Sequence, residues 1–319
     1  MARFLIHRIL LGLVVLWVIA TLVFVMFFVA PSNVARLIAG RQATPETVAL
    51  VEHRLGLDRP VLEQYGMYMW NLMHGDVGYS FYNSTSVRSL IWDRVPVTLS
   101  LAIGAAVLWL VIGVSSGVLA ATRPRSLADR IVTVTALVFY SMPAFLLGLL
   151  FLYFLFFRLH LAGIEFFPGS GYVPLTESPL EWARHLLLPW FTIALVSAAL
   201  YSRLTRGSML DVLGEDYIRT ARAKGLRERR VVYRHGLRSA VTPVVTQFGI
   251  DLGTLLGGVI IVENIFGLPG LGDLAVRSVT SQDLPVIIGT VVVASAFIVA
   301  ASIVVDVCYA ALDPRVRVH

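Results

Sequence analysis

Cysteine and lysine are nearly absent: Cys308 and Lys224 are the only ones among 319 residues. A lone cysteine excludes a disulfide framework, a cysteine-based zinc site and an iron–sulfur cluster. Lys224 lies between Ala223 and Gly225, so the chain has no G-K-[ST] and therefore no P-loop. If ATP drives this protein, another subunit must bind it. Charged residues make up only 14%. The histidines at 7, 53, 74, 160, 185, 235 and 319 show no H-E-x-x-H spacing. His53 and His74 are candidates for a metal, but solvated surface histidines are the plainer reading. Ser170 is not in a G-x-S-x-G elbow, because Pro168 and Tyr172 stand where glycines are needed. No catalytic residue and no metal ligand are therefore expected. No internal repeat or low-complexity tract occurs, which disfavours the repeat-built secondary transporters.

Apolar sequence is abundant. Hydrophobic residues are 57% of the chain and the mean hydropathy is +0.78. A membrane-crossing helix needs about 20 mostly apolar residues. Six runs qualify, at 9–30, 96–121, 131–157, 186–202, 240–262 and 285–309. Trp190 and Tyr201 suit the two interfaces of the short fourth run. The first run exceeds a signal peptide's apolar core and no A-x-A site follows, so it is expected to remain as a span. Arginines set the orientation. Arg123, Arg125 and Arg130, ten basic residues at 203–238, and Arg315 and Arg317 fall on one side when both termini are cytoplasmic. The opposite loops at 158–184 and 263–284 hold three basic residues between them. The expected organisation is a first span at 1–30, a helical extracytoplasmic insertion at 31–95 and a core of five spans at 96–319.

The insertion has its own signals. Thr44 can cap a helix that begins at Pro45 and stops at Gly56, with Val48, Val51 and Leu55 as its stripe. A second helix over 60–74 puts Leu62, Tyr65, Met69 and Leu72 on one face and stops at His74-Gly75. This segment is either a cap on the membrane surface or a platform for an external partner.

The segment EDYIRTARAKGLRERRVVYRHGLRSA, residues 215–240, holds eight of the 26 Lys and Arg residues. Topology and anionic lipid explain the sign of this charge but not its order. Glu215 and Asp216 suit a helix start. Tyr217, Ile218, Ala221 and Leu226 then form a small apolar face among arginines, and Gly225 breaks the run before a second helix. A short basic and apolar helix of this kind can dock in a groove on another protein. No aromatic platform or binding module accompanies the arginines, so nucleic acid is not expected as a partner.

This segment resembles the cytoplasmic signature loop of ABC importer permeases, and more narrowly that of the dipeptide, oligopeptide and nickel permease family. LGLDRP at 55–60, GDVGYS at 75–80, FPGSGY at 167–172, VENIFGLPGLG at 262–272 and DPRVR at 313–317 resemble that family in the same order. The pattern is that of the first-named permease of the pair. The resemblance implies an all-α membrane protein of six transmembrane helices, with the type I ABC importer permease fold. It also implies a coupling helix seated in an ATPase subunit, with Glu215, Asp216, Tyr217, Thr220, Ala221, Arg222, Lys224 and Gly225 at its core. Arg219, His235 and Arg238 depart from the general importer pattern, which has Glu, Ile and Pro there. The implied partners are a second homologous permease, two ATP-binding subunits, a solute-binding protein, a peptide substrate and membrane lipid. No cofactor is expected on this chain; ATP and Mg would lie on the partner subunits.

Within the spans, Asp251 is the conspicuous residue, because a carboxylate at membrane depth usually faces a cavity or a partner. It can pair with another helix or line the translocation path. Gly249, Gly253 and Gly257 share a helix face and suit close packing. Glu263, Asn264 and Phe266 follow span five, and the resemblance puts them at the outer gate; a plain loop is the competing reading. The function expected is that of a permease subunit for di- or oligopeptides, or for nickel or glutathione within the same family, and not an enzyme. The rivals are an ion- or proton-coupled carrier, which leaves the ordered loop idle, and a membrane scaffold, which leaves Asp251 unexplained.

Overall fold

Without water, backbone groups in lipid must be satisfied within their own segment, so the apolar runs fold as helices. The structure, a computed structural model, describes residues 2–29, 34–39, 43–54, 56–80 and 82–312. Five stretches among these are long and apolar enough to cross a membrane: Leu5–Val29, Val87–Thr122, Ala144–Leu161, Pro179–Leu213 and Leu284–Val307. A sixth is reached if Val259–Phe266 and Leu271–Ser281 are counted as one broken span. The chain divides into two compact units, Met1–Thr98 with Pro269–Ile303, and Leu99–Leu268 with Val304–His319. The segment 31–95 falls inside the first unit.

The first unit begins with α1 (Ala2–Phe24), which widens into a π-helical turn at Val25–Val29. Helices α2 (Val34–Ala39), α3 (Pro45–Arg54) and α4 (Val61–Met73) follow. Thr44 caps α3 as expected, its Oγ1 accepting from Thr47 N at 3.3 Å. Leu55 and the DPRVR string lie outside the described residues. Tyr65 and Tyr68 of α4 pack on Phe24 of α1, and Tyr65 Oη lies 2.7 Å from Thr21 Oγ1. Leu62, expected on the same face, is exposed instead. Two short antiparallel strands, β1 (Tyr79–Ser80) and β2 (Thr85–Ser86), lead into α5 (Val87–Thr122). The buried Asp283 accepts from Ser80 Oγ and, at 3.1 Å, from Asn83 Nδ2, which ties this hairpin to the segment between α13 (Leu271–Ser281) and α14 (Leu284–Leu312).

The second unit takes the rest of α5 from Leu99, then α6 (Leu127–Ser141) and α7 (Ala144–Phe151). A π-helical segment, Leu152–Arg158, and α8 (Leu159–Leu161) extend α7. The expected third span at 131–157 is thus two helices. Pro143 has no N–H to give to a continuing helix and forces Met142 out of the helical region, to φ −86° and ψ 128°. Helix α9 (Pro179–Leu213) runs well past the expected 186–202, because Ser178 caps it from Glu181 N at 3.4 Å and Pro179 takes the first turn. Helices α6 and α7 pack on α9, as does α12 (Arg238–Phe266). Between α9 and α12 lie α10 (Asp216–Ala223), α11 (Glu228–Arg230) and a π-helical segment, Val231–Leu237.

Candidate functional site: helix α10 and the carboxylate of Asp251

The segment after α9 folds as a helix, a glycine turn and a second helical stretch. Gly225 is at φ +74°, and Leu226 N donates to Ala221 O at 3.3 Å across the turn. This is a left-handed helix stop of the Schellman type, in which an apolar contact accompanies the bond. Here Leu226 packs on the cluster that holds Ala221. No atom within 4 Å would meet a Cβ at Gly225, so its backbone alone explains the glycine.

The apolar residues of α10 divide between two directions. Ile218 and Ala221 are buried with Val231, and Val212, Leu213 and Leu226 pack around them. They anchor the helix to its own chain. Tyr217 points the other way and is 45% exposed. Glu215, Asp216, Thr220, Arg222, Lys224 and Gly225 are exposed as well. Of the residues expected at the coupling contact, only Ala221 is thus turned inward. Arg222 bonds Glu228 through two nitrogens, at 2.7 and 3.2 Å, and straps the turn. The guanidinium lowers the carboxyl of Glu228 below its ordinary range. Arg219 pairs with Asp216 at 3.2 Å on the exposed face.

Asp251 accepts from its own chain at both carboxylate oxygens. Tyr201 Oη of α9 donates to Oδ2 at 2.9 Å, and Gln247 Nε2 donates to Oδ1 at 2.8 Å. Tyr201 is fully buried, beside Trp109 at 5.8 Å between ring centroids, and Trp109 meets Phe248 edge-on at 5.6 Å. Tyr201 therefore faces the protein interior, where its hydroxyl finds a carboxylate. Trp190 is also buried, and its indole N–H donates to Ser100 O at 2.9 Å.

Small residues on α5 allow this approach. A Cβ on Gly113 would lie 2.5 Å from Tyr201 Cβ, and one on Gly117 would lie 2.7 Å from Ser202 O. The pair in GVSSG, residues 113–117, has the four-residue spacing of a close-packing motif, and sequence reasoning applied that pattern only to span five. Gly249 is also at a close approach, with Val305 Cγ1 2.3 Å from where a Cβ would stand. Gly253 and Gly257 are helical in backbone, but their surroundings lie outside the described residues.

Glu263 and Phe266 are buried at the end of α12, whereas Asn264 is exposed and donates to Ile260 O at 2.8 Å. Gly267, at φ +59°, ends the helix as Leu268 N donates to Glu263 O at 2.9 Å. A Cβ on Gly267 would lie 3.3 Å from Ser170 Cβ, so the FPGSGY and VENIFGLPGLG strings meet here. Sequence reasoning also overlooked an ion pair. Arg206 of α9 grips Asp129 of α6 through Nε at 2.7 Å and Nη2 at 2.9 Å. The Arg206 hydrogen bond leads in lowering the carboxyl of Asp129 to about 2, helped by Arg125 N. The signal was available, since Asp129 stands three residues after Ser126, the cap of α6. Among the described residues no group of three or more His, Cys, Asp or Glu is placed to hold a metal.

A short helix with one anchored and one exposed face beside long packed helices is an arrangement suited to a transport subunit, and comparison with known proteins agrees. Residues 113–318 match the family described as binding-protein-dependent transport system inner membrane component, and residues 1–102 match the N-terminal domain of that system's membrane component. The chain belongs to this family. It is a multi-pass membrane permease of an ABC importer, not an enzyme, and ATP hydrolysis falls to separate subunits. A peptide transport system permease protein of Brucella abortus (strain 2308) is 40% identical over 317 residues, covering 99% of each chain. The glutathione transport system permease protein GsiC of Escherichia coli (strain K12) is 40% identical over 318 residues, again 99% of each. In fold, the permease resembles a chain of the inward-facing MetNI methionine ABC transporter, with a TM-score of 0.54 at 21% identity over 70% of this chain and 96% of that one. The type I ABC importer fold follows. The ion-coupled carrier is not favoured by any of these likenesses.

Proposed function

We propose that this permease imports small peptides as one half of a heterodimer with a homologous permease. Two ATP-binding subunits would dock on α10 at the cytoplasmic side, and a solute-binding protein would deliver substrate from the other side. Both termini are then cytoplasmic, as the arginine distribution requires. The observation that carries the docking role is the division of α10, with one face held by Ile218 and Ala221 and the other bearing the exposed Tyr217, Thr220 and Lys224. A helix fixed to its own chain moves as a lever when a partner grips its free face. ATP favours the closed ATPase pair, and that preference biases the lever. The cluster under α10 includes Val231 of the π-helical segment and touches Leu213 at the end of α9, so displacement would reach α9 and α12 together. Tyr201 and Asp251 join those two helices, and we assign the carboxylate the role of a strut between them. Glu263, Asn264 and Phe266 remain proposed gate residues on the family resemblance.

Peptides are the proposed substrate because full-length relatives at 40% identity are named for peptide and glutathione transport, and glutathione is itself a small peptide. The chain's single native cysteine makes the docking test direct. A Thr220→Cys permease, assembled with its ATPase subunits, should cross-link to them in a nucleotide-dependent manner. Absence of any cross-link in an assembled, ATP-hydrolysing complex would exclude α10 as the contact. Uptake of dipeptides against glutathione in reconstituted vesicles separates the two substrate readings.

A further inference from the structure

The first unit encloses a groove of about 710 Å³ that the transport reading does not use. It is lined by Leu13 and Trp17 of α1, Met69 of α4, Trp92 of α5 and Val292 of α14, among other apolar side chains. Arg88 is its one charged lining residue. Two of the other polar side chains in the lining are bonded within the chain: Tyr65 Oη pairs with Thr21, and Ser295 Oγ donates to Val291 O at 2.8 Å. Arg88 is exposed, one residue inside α5, and has no ion pair or hydrogen bond among the described residues.

The lining follows α1 from Leu13 to Ala20, about 10 Å at the helical rise of 1.5 Å per residue, a length that suits part of an acyl chain. A peptide needs an acceptor for its charged amino terminus and many partners for its backbone, and this largely apolar lining has no carboxylate for the first. A phospholipid needs an apolar slot for its chain and a cation for its phosphate. The guanidinium fork suits a phosphate oxygen pair.

We propose that this groove is a lipid site, in which an acyl chain of an anionic phospholipid lies against α1, α4 and α14 and its phosphate pairs with Arg88. The site goes beyond the transport activity and stands whether or not peptides are the cargo.

The test is native mass spectrometry of the full-length permease, delipidated in detergent and titrated with phosphatidylglycerol. One lipid should be retained tightly. Arg88→Glu should weaken its binding about tenfold, since one basic residue near an anionic lipid surface is worth about 1 kcal/mol and reversal removes more than that. Arg88→Lys should keep most of it. Ala296→Trp and Leu13→Trp, which fill the groove and leave Arg88 in place, should each weaken binding by a similar factor; both positions are exposed, so the fold tolerates the added ring. Equal retention by Arg88→Glu would overturn the proposal. So would loss in Arg88→Glu with full retention in both tryptophan variants, which would mean a surface cation only. Retention of a peptide, displaced by the tryptophans, would replace the lipid with a different occupant and overturn it equally.

Discussion

Each oxygen of Asp251 has a donor supplied by a neighbouring side chain, and this decides what its loss should do. Tyr201→Phe removes one donor without changing shape. The cost should be about 1 kcal/mol, the net worth of one hydrogen bond to a half-buried carboxylate. Thermal unfolding of the purified complex should show it, with uptake per assembled complex kept. Asp251→Asn should behave alike, since the amide turns a donor toward Tyr201 or Gln247. Normal stability with lost uptake would assign the charge to the substrate path instead. Asp129 gives a pH dependence of known sign. Its carboxyl is held at about 2 against an ordinary 3.8, so the native state favours the ionised form. The stabilisation is complete above about pH 4 and is lost as pH falls through about 2. Melting curves between pH 6 and 2 should converge for native protein and Arg206→Gln as the pH drops. A constant gap between them would detach the ion pair from stability.

Helix α10 carries the main prediction at the level of elements. Ala221 faces inward onto Ile218 and Val231, so a tryptophan there should overpack the loop by about 1–3 kcal/mol and lower both melting temperature and uptake. Thr220→Trp, on the exposed face, should leave the melting temperature unchanged and uncouple ATP hydrolysis from uptake. Gly225→Ala should cost about 1–2 kcal/mol, the penalty of a left-handed residue, because its conformation is strained for a side chain although space is free. If Thr220→Trp and Ala221→Trp gave the same melting temperature and the same uptake, the two-faced reading of α10 would fail.

For the whole molecule, the division of labour is testable on the isolated chain. With Lys224 followed by glycine, no G-K-[ST] exists to hold a phosphate. The purified permease should show no ATP hydrolysis, and activity should appear when its ATP-binding subunits are added. Hydrolysis by the verified single chain would refute the assignment. The two compact units have separate parts in this scheme. Residues 99–268 hold the proposed docking helix and the half-buried Asp251, while residues 1–98 and 269–303 hold the proposed lipid groove.

By itself, the sequence determined what local rules control. Apolar run lengths marked the spans because lipid leaves a chain no structure but helix for so long a stretch. Gly225 and Thr44 marked a stop and a start because a left-handed turn and an unpaired N–H are needs of one place in the chain. The motif strings carried the family. Only the tertiary structure decided which side of α10 was free, because Ile218 and Ala221 are told apart from Tyr217 by what packs on them and not by hydropathy. The same holds for Tyr201, which reads as an interfacial aromatic until a carboxylate fifty residues away meets its hydroxyl. Gly113 and Gly117 became the close-packing pair because Tyr201 and Ser202 of another helix pass over them, a fact about the neighbour that the spacing of the glycines cannot contain.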